Sequence, residues 1–141
     1  MATVTQKPPW HIGPVGMLAT LWGAVMAGEE LIRRFELTGY PEPLATWGAQ
    51  LAALPDGAGL VWALGAFAAL AGGVLLLLRE GLTPVILALA ALALAVAAGW
   101  AALAGAMTVA QPGGQAMIGV AVLGVLFWLY ARVQRGNGAL G

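Results

Sequence analysis

Four stretches of this chain are apolar almost without interruption, and most of its charged residues lie between or beside them. The stretches cover residues 12–32, 60–78, 82–107 and 116–131. A helix needs about 20 mostly apolar residues to cross the roughly 30 Å hydrocarbon core of a bilayer, and all four approach or meet that length. Their hydrophobicity is continuous and lacks the every-other-residue alternation of a barrel strand, so backbone polar groups in lipid must be satisfied by helical bonds. The pattern predicts an all-α integral membrane protein, a single bundle of four transmembrane helices over residues 1–141.

The polar punctuation orders these elements. Arg79-Glu80-Gly81 leaves room for only a tight turn, and Pro84 falls in the first turn of the third span, where its missing N–H does little harm. Spans two and three are therefore expected to form an antiparallel hairpin. Gln111-Pro112-Gly113-Gly114-Gln115 reads as a breaker between spans three and four. The longest connection, residues 33–59, contains LATWGAQLAAL (Leu44 to Leu54) bracketed by Pro43 and Pro55. This segment is too short to span and predicts a short interfacial helix between spans one and two. Lys7 precedes the first span as in a signal peptide. That span is too long for a signal h-region, however, and it ends in Glu29-Glu30 instead of a small-residue cleavage site, so a retained span is expected.

Composition narrows the function classes. Hydrophobic residues make up 61% of the chain and charged residues 9%, against about 25% charged in soluble proteins. The net charge is zero and the bases are dispersed, which removes nucleic acid as an expected partner. Lacking cysteine, the chain has no thiolate chemistry. An even number of spans puts Lys7, Arg79, Arg132 and Arg135 on the side of the termini, opposite Arg33 and Arg34. The positive-inside rule then assigns the termini to the cytoplasm. Trp10, His11, Trp128 and Tyr130 are expected to anchor one interface, and Tyr40, Trp47 and Trp62 the other. Trp22 and Trp100 fall deeper, as packing residues. The alanine-rich third span, with Gly65, Gly72, Gly73, Gly119 and Gly124 in its neighbours, predicts close helix packing.

One segment stands out: GEELIRRF, residues 28–35, places four of the twelve charges within six positions. On a helix, Glu29 with Arg33 and Glu30 with Arg34 are i,i+4 pairs with the acid N-terminal, the favoured orientation, and the bases sit at the C-terminal end of the dipole. Two readings follow. The charges form a self-neutralised helix end, or Glu29 or Glu30 serves as a buried acid at the mouth of a binding site completed by Arg33, Arg34 and Trp22. The adjacent arginines argue against a proton-exchanging acid. His11 lies 18 residues from Glu29, about 27 Å along a helix, so the two cannot share a site and no metal centre is expected. No catalytic constellation or phosphate-cradling loop is present, and neither enzymatic activity nor a cofactor is expected.

PPWHIGPVGMLATLWGAVMAGEE, LLLLREGLTPVILALAAL and the terminal FWLYARVQR together resemble a bacterial family of small four-span membrane proteins that open with Pro-Trp-His and are often labelled sugar transporters. Pro9, Trp10, His11, Leu21, Trp22 and Glu29 are the matching positions. The chain departs from that pattern at Gly23, where asparagine is usual, and at Glu29-Glu30, where Asp-Tyr is usual. The resemblance implies a multi-pass protein of the bacterial cytoplasmic membrane. The small multidrug transporters also have four spans and a glutamate in the first, but with tighter loops and a deeper acid that lacks arginines at i+4. The expected function is a non-catalytic accessory or structural subunit whose partners are the lipid bilayer and other membrane subunits or a second copy. A small transporter or ligand-binding bundle using Glu29 or Glu30 is the alternative.

Overall fold

A computed structural model describes residues 7–36 and 51–141. Four helices account for most of them: α1 (Ile12–Arg34), α2 (Asp56–Leu78), α3 (Thr83–Leu103) and α4 (Pro112–Gly136). Each is long and apolar enough to cross a membrane, and the described residues contain no strand. The expected interfacial helix falls mainly on residues 44–50, outside the described residues. Of that segment, Leu51 and Leu54 are buried against the end of the bundle opposite the termini, here called the outer end.

Two boundaries differ from the hydrophobic pattern for identifiable reasons. The third span stops at Leu103, four residues before Met107, because the chain turns there through Gly105 at φ 68°, a left-handed conformation that suits glycine. The expected breaker after it instead opens the fourth helix. Pro112 occupies the first turn of α4, and Gly113 and Gly114 are buried inside that helix. A Cβ on Gly114 would lie 2.1 Å from the Thr108 carbonyl oxygen, so the tight approach of the incoming turn excludes a side chain there.

Each helix packs on the next in sequence. Between α1 and α2 the contact is backbone against backbone: a Cβ on Gly23 would come within 2.4 Å of Leu70 Cα, and one on Gly73 within 2.5 Å of Thr20 N. Thr20 turns its hydroxyl back to the Gly16 carbonyl at 2.8 Å, which satisfies it within its own helix. Between α2 and α3 the fit is knob into hole. Leu94 sits over Gly65 and Leu87 over Gly72, and this falling and rising register is the antiparallel hairpin expected from the short turn. The hairpin turn is closed at α2 by a Schellman pattern, with Glu80 N–H donating to Leu75 O and Arg79 N–H to Leu76 O, while Arg79 takes φ 61°. Thr83, fully buried, donates its hydroxyl to the Glu80 carbonyl at 2.6 Å and fixes the start of α3.

α4 is held differently. It meets α3 closely at Gly124, where a Cβ would be 3.3 Å from Ala91 Cα, but it reaches α1 through long side chains. Trp22 and Phe127 stack tilted at 5.3 Å between ring centroids, and His11 meets Tyr130 near the termini. One core cluster at the terminal end joins Ile12, Ala19, Leu76, Leu87, Ala131 and Leu140. A second, toward the outer end, includes Met26, Leu51, Trp62, Leu94, Met107 and Met117. Trp62, expected at the interface, is only 1% exposed and belongs to that core, because α2 begins at Asp56, a full turn earlier than the hydrophobic run suggests. Trp100, expected deep, is half exposed with the tip of its ring over Gly57.

Candidate functional site

The last two turns of α1 carry all four charges of the GEELIRRF segment, and helical geometry separates their roles. Successive residues advance about 100° around the axis, so Glu29 and Glu30 face different neighbours. Glu30 is 1% exposed and Glu29 is 5% exposed, so both acids are buried. Glu30 Oε2 accepts from Arg33 Nη2, and Oε1 accepts from Arg34 Nη2 at 3.1 Å. The expected Glu30–Arg34 pair is therefore present. Arg33, expected opposite Glu29, donates to Glu30 three residues back. The reason is reach: a guanidinium at i+3 still lies over the same helix face, and a carboxylate out of water gains more from two charge-assisted donors than from one.

Glu29 points elsewhere. Together with Trp22, Val25 and Met26 it lies on an i, i+3, i+4, i+7 stripe of α1, and this stripe forms one wall of a lateral cavity of about 390 Å³. Ala116 and Val120 of α4 form the opposite wall. The cavity exists because α1 and α4 are spaced by Trp22 and Phe127 and not pressed together at glycines. Trp22 Nε1 is buried there without a hydrogen-bond partner among the described residues. The structure thus brings Glu29 and Trp22 to one cavity and Glu30, Arg33 and Arg34 to an adjoining ion triad.

The second group of sequence-derived residues meets at the terminal end. His11 Nδ1 and the Tyr130 hydroxyl are 2.5 Å apart, and the Trp10 and His11 rings meet edge-on at 6.0 Å. Trp10 is 83% exposed, whereas Trp128 is half-buried beneath Arg132, whose Cζ lies 5.8 Å from the ring centroid. Among the described residues no three metal-ligating side chains converge.

Two features were not singled out from sequence. Gln134 of α4 is 6% exposed, with its Oε1 buried and lacking a partner among the described residues. Trp128, Arg132 and Arg135, at i, i+4 and i+7 on α4, face a groove against α3; their spacing was legible, but the groove depends on how α3 is placed beside them. No known family, curated protein or solved structure matches the chain.

Proposed function

We propose that the chain is a non-catalytic accessory or structural subunit of a larger membrane assembly, packing in the plane of the bilayer with its termini in the bacterial cytoplasm. The observation that carries this reading is the uneven burial of the four helices. Inside the bundle, 39–44% of the spanning window of α1, α2 and α3 is buried, but only 17% of that of α4. A stripe of Ile118, Val122, Leu126, Leu129 and Val133 along α4 faces outward, and branched side chains at that spacing offer a ridged surface to another helix. Between the two ends of the bundle the described interior offers no polar path. Among the described residues the buried polar or charged side chains are Glu29, Glu30, Thr83 and Gln134, all at the ends of the bundle, with alanine, leucine and glycine between them.

Extraction at native expression in a mild detergent, followed by mass measurement of the intact particle, tests the proposal. A particle larger than one 14.3 kDa chain is expected. Recovery of a lone chain under conditions that preserve other membrane assemblies would contradict it.

A second reading rests on the cavity beside Glu29. An apolar pocket opening sideways, with a buried acid at its outer end, suits a lipophilic cation entering from the bilayer. Binding of tetraphenylphosphonium to the reconstituted protein, abolished by Glu29→Gln and spared by Arg34→Gln, is the result this reading requires.

A further inference from the structure

The groove between α3 and α4 begins at the terminal end of the bundle and encloses about 610 Å³. Its floor and walls are Ala88, Leu89 and Leu92 of α3 and Trp128 of α4, and its mouth is flanked by Arg132, Arg135 and Pro84. A second hollow of about 390 Å³ continues it, sharing Ala88, Leu92 and Trp128 and extending to Ala95 and Val125. From Pro84 to Ala95 is eleven residues, about 16 Å at the helical rise. That is close to half of a roughly 30 Å hydrocarbon core, the depth of one leaflet.

The mouth is cationic and the rest is apolar. Neither Arg132 nor Arg135 has an ion-pair partner among the described residues, and no acid lines the groove; Glu80, in the nearby α2–α3 turn, is not part of its wall. The stacked Trp128 ring supports the Arg132 guanidinium from below. The N-terminal end of α3 at Thr83 and Pro84 adds the positive pole of a helix dipole to the same region. Val85, Leu89 and Leu92 remain about half exposed or more, so the groove opens sideways along the apolar length of α3, a helix long and apolar enough to cross a membrane.

We propose that this groove is a binding site for one anionic glycerophospholipid, whose phosphate is held by Arg132 and Arg135 and one of whose acyl chains lies along Val85, Leu89 and Leu92 toward Ala95. Planar guanidinium groups suit the oxygens of a phosphate diester, and the apolar length below them matches a chain confined to one leaflet. The site belongs to the bundle itself and does not depend on which assembly the protein joins.

The test uses the full chain purified in a non-ionic detergent, with phosphatidylglycerol or phosphatidylcholine of the same acyl chains added, and reads retained lipid by native mass spectrometry. Each arginine near an anionic headgroup contributes a factor of about five, so a preference of about 25-fold for a single phosphatidylglycerol is expected. Arg132→Gln with Arg135→Gln should bring the ratio near one. Arg79→Gln, a charge change at the same end outside the groove, should leave it in place. Ala88→Phe, which narrows the groove and keeps both arginines, should reduce retention severalfold. The proposal is overturned if the double arginine variant keeps the preference, if Ala88→Phe retains phosphatidylglycerol as well as the unaltered chain, or if inorganic phosphate displaces the lipid at equal concentration. A stable dimer with lipid-free grooves would equally overturn it, assigning the surface to a second copy.

Discussion

Removing the Glu30 carboxylate should destabilise the protein more than removing either arginine that binds it, and the two arginines should contribute unequally. Glu30 is buried, while the Arg33 and Arg34 side chains are 24% and 52% exposed. Hydrogen bonds to charged groups contribute about 1.5–3 kcal/mol when shielded, and exposed ion pairs about 0.3–0.5 kcal/mol. Arg33 falls nearer the first case and Arg34 nearer the second. Arg33→Ala should therefore cost about 2 kcal/mol and Arg34→Ala about 0.5 kcal/mol. Glu30→Ala should cost about 2–3 kcal/mol, below the roughly 3–5 kcal/mol of breaking a fully buried pair, because both freed guanidinium groups can extend into the headgroup region. Reversible unfolding in mixed micelles, followed by tryptophan fluorescence, gives these values. Double-mutant cycles should return about 1.5 kcal/mol of coupling for Glu30 with Arg33 and about 0.4 kcal/mol for Glu30 with Arg34. Coupling of Glu30 to Arg34 alone would restore the pairing read from the sequence, in which Arg33 belongs to Glu29, and negligible coupling in both cycles would refute a structural role for the triad.

Gly23→Ala and Gly73→Ala, which push a methyl into the facing backbone, should each cost about 1–3 kcal/mol, whereas Gly99→Ala in α3, where a Cβ meets nothing within 4 Å, should be neutral or stabilise by up to about 1 kcal/mol; thermal unfolding of the three variants side by side checks the contrast. Tyr130→Phe removes the hydroxyl that His11 meets and should cost about 0.5–1.5 kcal/mol, with no further loss when combined with His11→Phe, a non-additivity readable by the same unfolding assay. Leu140, 5% exposed within the terminal-end core, should on replacement by alanine lower the protection of the Gly141 amide, which donates to Arg79 O at 2.9 Å, in hydrogen exchange.

What the sequence made legible was mostly one-dimensional. Continuous apolar runs located all four helices, and the minimal Arg79–Gly81 connection dictated the α2–α3 hairpin, because both signals are local. Local rules failed at Pro112-Gly113-Gly114. Proline and glycines read as a loop when considered alone, but proline is tolerated in the first turn of α4 and the glycines are needed against Thr108. At the candidate site, spacing along α1 put the right charges together, and the partner choice of Arg33 was missed because i+3 and i+4 donors compete for one buried carboxylate. The cavity beside Glu29 and the groove beside Arg132 were not legible. Each is a gap between two helices, set by the side chains that hold α4 away from α1 or beside α3, and no single segment encodes it.

The central claim is that the sparsely buried outer face of α4 is an interface within the membrane. Because the chain has no cysteine, single cysteines at Val122 and Leu126 on α4, and at Leu64 and Val74 on the exposed face of α2, can carry a short photoactivatable cross-linker in native membranes. The account predicts a discrete higher-mass adduct, either with a second copy or with one recurring membrane protein, from the α4 positions and not from the α2 positions. Monomer alone from all four positions, or the same adducts from both helices, would contradict it.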